Sequence, residues 1–348
     1  MNSRERILAA INRQPVDRIP TDIWATGEVI GKLAAHYGSF ENAVRELHID
    51  GIAGLGADYV GPPVAEGFDE WGNQSRPVKY ADGVYMELCR NALAHAKTAD
   101  DVMAYNWPQT SWWDKSAMRA RCLELRKNSA VSCGYMAPFY FHNKLRGLEQ
   151  SLADPYENPE LTHLIVGKIT DFFYAHHRAM FEACEGLIDI TQVTDDLGCQ
   201  TGPLIGLAHY REFYKPHHVR LCGLCKEFGI KIFHHDDGAC RQFLPDLVEM
   251  GIDILNPVQW NCPGMETKAL KRDFGKNVCF HGGVENQRIL PFGTPDEVRA
   301  EVRHCIDDLA ADGTGYILAS CHNIQPNTPH ENIIAMYDEA WHYGGAAT

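Results

Sequence analysis

GIKIFHHDDG, residues 229–238, opens as a β-strand and closes as a cluster of metal-ligand side chains. Lys231, Ile232 and Phe233 suit a strand. His234, His235, Asp236 and Asp237 follow, and Gly238 turns the chain. Two imidazoles and two carboxylates at the end of a strand make poor packing material and good coordination chemistry.

The same unit repeats outward from this stretch. Helical spacing of apolar residues runs over 208–228 before it and over 241–250 after it. Further strands are expected at 130–135, 187–193, 252–256, 277–280 and 315–319. Helices are expected over 114–127, 141–152, 159–184, 266–274, 294–311 and 329–342. Strands alternating with helices of this length imply βαβ units and a parallel sheet. A helix over 3–12, with Ser3 as its N-cap, and an early strand at 21–25 bring the pattern close to a (β/α)8 TIM-type barrel. The pattern is helical again over 27–52. The expected architecture is α/β, with residues 1–348 as a single barrel domain. Residues 53–107, rich in Gly, Pro and aromatics, are read as a cap or insertion with a hairpin through 80–84. A doubly wound open sheet is the alternative, but no GxGxxG follows a strand.

In such a barrel the active site lies where the strands end. The expected strand ends carry Asp195-Asp196, His235-Asp236-Asp237, Asn256 with Gln259, His281, and Cys321-His322-Asn323. His235 and Asp237 are two residues apart, so on extended chain they share a face. Cys321 arrives on the last strand, which a closed barrel brings near the middle ones. His235, Asp237 and Cys321 therefore make three protein ligands with an open fourth position, the pattern of a catalytic zinc. His234 is expected to face away. Cys222 and Cys225 fall mid-helix and suit packing, and His217-His218 reads as an exposed helix start.

Bulk properties narrow the function classes. The 348 residues carry a formal charge of -14 and no basic run. That argues against binding nucleic acid through its phosphates. The charged N-terminus suggests neither a signal peptide nor a membrane span. Twelve cysteines without a disulfide rhythm suggest reduced thiols and a cytoplasmic protein.

Several blocks together resemble one family. SRERILAAINRQPVDRIPTDIW at the start, DDLGCQTGPLIGLAHYREFYKP, DLVEMGIDILNPVQ, HGGVENQRILPFGTPDEV and the closing HNIQPNTPHENIIAMYDEA are similar to the uroporphyrinogen decarboxylase superfamily. The resemblance covers nearly the whole chain and implies a (β/α)8-like barrel. The decarboxylases proper carry an Arg-Gln-Ala-Gly-Arg type segment early. Here the corresponding stretch reads TDIWATGEVIG, without those arginines. The other large branch comprises corrinoid-dependent methyltransferases with a His-x-Cys zinc motif and a late cysteine. His235 matches that histidine and Cys321 the late cysteine. Asp237 stands where the first cysteine would be.

A carboxylate in place of a thiolate leaves a harder ion, which favours an oxygen atom in the open position. The resemblance thus implies a zinc-dependent methyltransferase. It would move a methyl group from a methyl ether, an aromatic one, to the Co(I) corrinoid of a partner protein. Asp196, Asn256, Gln259 and His322 are expected to line the pocket. Asp195 or Asp196 would supply a proton to the departing alkoxide or complete the coordination sphere, and Glu149 is a further candidate for that last place or for the pocket wall. The aromatic-rich segment before Trp107 would shape the pocket. The alternatives are a methyl-corrinoid:thiol methyltransferase, a metal-free decarboxylase, and a protein that only sequesters a corrinoid or tetrapyrrole.

Overall fold

A computed structural model describes residues 1–80 and 83–345. Seven parallel strands form the central sheet. They are β1 (Ile52–Leu55), β2 (Ala130–Met136), β3 (Ile190–Val193), β4 (Lys231–His235), β5 (Ile254–Asn256), β6 (Cys279–Val284) and β7 (Tyr316–Ser320), side by side in chain order. Strands β3 to β7 are buried or nearly so, because helices such as Pro159–Cys184, Lys215–Glu227 and Pro295–Leu309 cover the outer face.

The sheet is curled. Ala130, Ile190, Phe233, Ile254, Cys279 and Ile317, one residue from each of β2 to β7, meet in one small inner core separate from the main one. Ile7, Ala10 and Ile11 of the helix Ser3–Ile11 plug this inner core. Fully burying such side chains stabilises a fold by about 1.5–3 kcal/mol each. The plug helix is tied down by Arg4, which donates to Asp189 at 2.6 and 3.1 Å. Its N-cap is Asn2, in a reciprocal capping box with Glu5, and not Ser3 as the sequence suggested.

The expected strand at 21–25 is reduced to single parallel bridges, Thr21 to Leu318 and Ala25 to Ile324. Pro20 has no N–H to give, but its carbonyl accepts from Leu318 at 2.9 Å. On the other side the Thr21 carbonyl accepts from Asp50 and Gly51, both at 3.1 Å. Asp50 is buried and gathers Arg6 at 2.5 Å, Arg18 at 2.8 Å and the Thr21 N–H at 3.1 Å. The first sheet strand is instead Ile52–Leu55, between the expected helical region and the expected cap.

Within 53–107, the strands Gln74–Tyr80 and Gly83–Arg90 pair antiparallel. Ala81 and Asp82, at the middle of the expected hairpin, lie outside the described residues. The helix expected from 114 starts at Met118, because Trp113–Asp114 pairs with Asp58–Tyr59. His218, expected to be exposed, is buried, and all twelve cysteines are unpaired. Among the described residues no helix is long and apolar enough to cross a membrane.

Candidate active site

β4 carries His235 to the C-terminal edge of the sheet, where Gly238 (φ 82) turns the chain. Asp237 stands in that turn, and its loop is fixed by its neighbours. The Gly238 N–H donates to Gln259 Oε1 at 2.8 Å and the Ala239 N–H to the Cys199 carbonyl at 2.9 Å. Buried Asp236 accepts from the Leu197 and Gly198 N–H groups at 2.9 and 3.1 Å. The approach is close enough that a Cβ on Gly238 would meet the Cys199 backbone at 2.5 Å.

His235 Nε2 lies 3.7 Å from Asp237 Oδ2, and His322 Nε2 lies 3.7 Å from the same oxygen. The two rings are 5.5 Å apart. Ligand atoms of His235, Asp237 and His322 all fall within 4.8 Å of one another. These spacings are too long for hydrogen bonds. Two donors each ~2.1 Å from one ion at a tetrahedral angle sit about 3.4 Å apart, so the observed spacing fits a shared cation better. The donor set, two imidazoles and one carboxylate, suits zinc or another borderline divalent ion.

The electrostatics follow from these neighbours. Burial alone would raise the Asp237 carboxyl, but the His235 and His322 imidazoles outweigh it and hold it below the ordinary range. Burial disfavours a charged His235, yet Asp237 and Asp196 hold its pKa above normal. Burial holds His322 below normal, which keeps a nitrogen lone pair free. Cys321 is buried, and burial followed by the Asp237 charge pushes its thiol well up. A thiol must lose its proton before it can ligate.

A cavity of about 600 Å³ opens over the cluster, bordered by Asp237, Gln259, Cys321 and His322 and by amides such as Asn286 and Gln287. No arginine or lysine borders it among the described residues. Among the described residues, no aromatic residue of 53–107 borders it either. Trp71 and Trp113 instead wall a second cavity of about 430 Å³ against Phe172 and Phe173 of the long helix.

The other expected site residues divide. Asp196 belongs with the cluster, its carboxylate 3.7 Å from His235 Nε2. Burial pushes its carboxyl up. Asp195 turns away from the cavity. It is wholly buried and accepts from the Phe139 and Tyr140 N–H groups at 2.9 and 2.7 Å and from His218 Nε2 at 2.8 Å. It thereby anchors the first turn of the helix Pro138–Arg146, whose free N–H groups need an acceptor. Asn256 is buried behind His235 and does not border the cavity. Glu149 lies exposed in the first turn of the helix Leu148–Glu157, away from the cluster. His234 faces away as expected, donating through Nδ1 to the Val193 carbonyl at 2.8 Å.

Sequence reasoning missed Trp24, whose ring stacks on His235 at 5.6 Å. It also missed Asp22, which accepts from the Trp24 indole at 3.2 Å. A polar residue beside a tryptophan in the early 20–25 segment was the available signal.

The uroporphyrinogen decarboxylase (URO-D) family model matches residues 95–343. A methylated-thiol–coenzyme M methyltransferase of Methanosarcina mazei is 28% identical over 203 residues, covering 57% of this chain and 49% of that protein. A uroporphyrinogen decarboxylase of Nocardia farcinica is 27% identical over 194 residues, covering 55% and 51%. The chain spans about half the length of the curated relatives it matches. Among solved structures, a methyltransferase from Methanosarcina mazei superposes with a TM-score of 0.69 at 18% identity, over 99% of each chain. At that identity the likeness is one of fold.

Proposed function

This chain belongs to the uroporphyrinogen decarboxylase family, and from that premise we propose that it is a zinc-dependent methyltransferase. In this reading it takes a methyl group from a methyl ether, an aromatic one, and delivers it to the Co(I) corrinoid of a partner protein. The observation that carries the reading is the convergence of His235, Asp237 and His322, the last two bordering the cavity of about 600 Å³. We read the 20–25 segment as the element that closes the sheet into a (β/α)8-type barrel, with residues 53–107 as a cap on a single domain.

His235 and Asp237 would hold the ion. His322 is the favoured third donor on spacing, and Cys321, the neighbour on the same cavity wall, is the competitor. Zinc, when bound, supplies Lewis acidity toward the substrate atom that bears the methyl group. Asp196, whose carboxyl burial favours keeping its proton, would protonate the departing alkoxide. Gln259 braces the Asp237 loop and borders the cavity where substrate would sit. The cap would exclude water from the transfer. A carboxylate with two imidazoles makes a harder site than a pair of thiolates, which supports an oxygen-linked methyl group. The cavity wall, amide-rich and among the described residues without arginine or lysine, counts against a polycarboxylate substrate.

A second reading, methyl transfer involving a thiol, is favoured by the similarity to the Methanosarcina protein. One assay separates the two. Methoxy-aromatics and methylated thiols are offered with a reduced corrinoid protein, and methyl-cobalt formation is followed by absorbance. Turnover of the ether supports the proposal, and turnover of thiols alone supports the second reading. Purified protein with no zinc and no zinc requirement would sink both. Metal analysis of His322→Ala beside Cys321→Ala identifies the third donor by which variant loses the ion.

A further inference from the structure

Behind His235 runs a buried hydrogen-bond chain that crosses the interior of the sheet. His235 Nδ1 is 2.5 Å from Asn256 Oδ1. Asn256 Nδ2 is 2.7 Å from His281 Nδ1, and His281 Nε2 is 3.0 Å from Asp22 Oδ2. Asp22, His281 and Asn256 are each at most 2% exposed, so water does not compete for these groups. Asp22 is itself held in place. Its Oδ1 accepts from the Ile52 N–H at 3.1 Å and its Oδ2 from the Trp24 indole.

The chain has a direction. An ionised carboxylate only accepts, so His281 must donate through Nε2. A neutral imidazole with its proton on Nε2 has a bare Nδ1, which must accept from Asn256 Nδ2. That orientation of the amide presents Oδ1 to His235, which must donate from Nδ1. The consequence falls at the far end: in the neutral ring His235 Nε2 is left without a proton, its lone pair aimed at the side where Asp237 and His322 stand. Turned end for end, the same chain would put a proton on Nε2 and block coordination. The tautomer of a ligand histidine is set by the partner of its other nitrogen.

We propose that Asp22 and His281 are positioning residues that fix the ligand tautomer of His235 through Asn256. The inference rests on reading His235 as a metal ligand. It adds residues from the 20–25 segment and from β6 that touch neither metal nor substrate. Asp22 supplies the polarity and His281 carries it across the sheet.

The test uses the full-length protein labelled with 15N-histidine. In the metal-free wild type, at a pH alkaline enough to leave the ring neutral, long-range proton–nitrogen correlation spectra should show His235 protonated on Nδ1, assigned by its loss in His235→Gln. Asp22→Asn removes the obligate acceptor with little change of shape, and His281→Leu cuts the chain while filling the space. In each variant that keeps the wild-type fold by circular dichroism, a substantial fraction of His235 should carry its proton on Nε2. Zinc affinity, measured by competition with a chromogenic chelator, should fall by roughly 10- to 100-fold. A role confined to packing would lower the melting temperature and leave the tautomer as it was. Either folded variant that retains both the Nδ1 proton and the wild-type zinc affinity would overturn the proposal. A wild type that binds no zinc would defeat the functional reading instead, and the tautomer measurement would still decide this one.

Discussion

At the residue scale, the proposed chemistry turns on position 237. Its loop is held by backbone hydrogen bonds to Gln259 and Cys199 and by the carboxylate of neighbouring Asp236, none of which involves the Asp237 side chain. Asp237→Cys should therefore keep the fold and still bind close to one equivalent of zinc. With the softer donor it should shift relative turnover from methyl ethers toward methylated thiols. The readout is the ratio of kcat/KM for the two substrate types, and an unchanged ratio would remove the argument from hardness. Asp195 shows where reading residues from sequence ran out. A carboxylate after a strand serves equally well as a proton donor or as a helix anchor, and only the Phe139 and Tyr140 N–H groups distinguish the two. His322 was legible as a polar residue at a strand end. Its rank against Cys321 was not, because that depends on which side chain turns toward Asp237. The Asp22–His281 contact joins residues 259 apart in the chain and leaves no local trace.

At the scale of elements, the long helix Pro159–Cys184 meets β2 at one tight point. His177 is fully buried there, its Nδ1 donating to the Phe173 carbonyl at 2.8 Å and its Nε2 accepting from the Tyr135 N–H at 3.1 Å. Accepting at Nε2 requires a neutral ring. Burial and the neighbouring His176 depress its pKa to about 3. A histidine depressed on folding is protonated first in the unfolded state. Its contribution to stability is thus intact above the ordinary pKa near 6.5 and is lost as pH falls toward 3. In that window each such group costs about 1.4 kcal/mol per pH unit. His177→Gln should flatten the fall in urea-unfolding stability between pH 6.5 and pH 4.5, and an equally steep fall in the variant would refute the assignment. Gly134 faces the same ring with φ 97, and a Cβ there would meet His177 at 2.3 Å. Gly134→Ala should cost on the order of 2 kcal/mol or more by the same measurement. Most elements could be read from periodicity, since helix and strand repeats are local. β1 escaped because Ile52-Ala-Gly-Leu55 is short and half made of small residues, with little of the β-branched character that marks a strand.

At the scale of the whole molecule, the N-terminal residues plug the curled sheet and lie between its first and last strands. Asp50 carries much of this arrangement, since Arg6, Arg18 and the Thr21 N–H all converge on it. Asp50→Ala leaves two guanidinium groups without their buried partner and should cost about 3–5 kcal/mol. Ile11→Ala hollows the plug and should cost about 2–5 kcal/mol. Denaturant midpoints check both. The zinc stoichiometry of folded Ile11→Ala should match wild type, because the plug lies at the opposite end of the strands from the cluster. The alternation of strands and helices was visible in the sequence, but the route by which the chain ends meet was not. It runs through Pro20, Thr21 and Asp50 and not through a regular strand. The donor and support groups of the site also come from far apart, Asp22 near one end and His322 near the other. On the reading proposed above, residue 322 would have to leave the ribosome before the three-donor site is complete, by which time most of the scaffold has emerged. Zinc would then be a late addition to the protein. Starving a cell of zinc should then leave folded, empty protein, ready to be loaded when the metal returns.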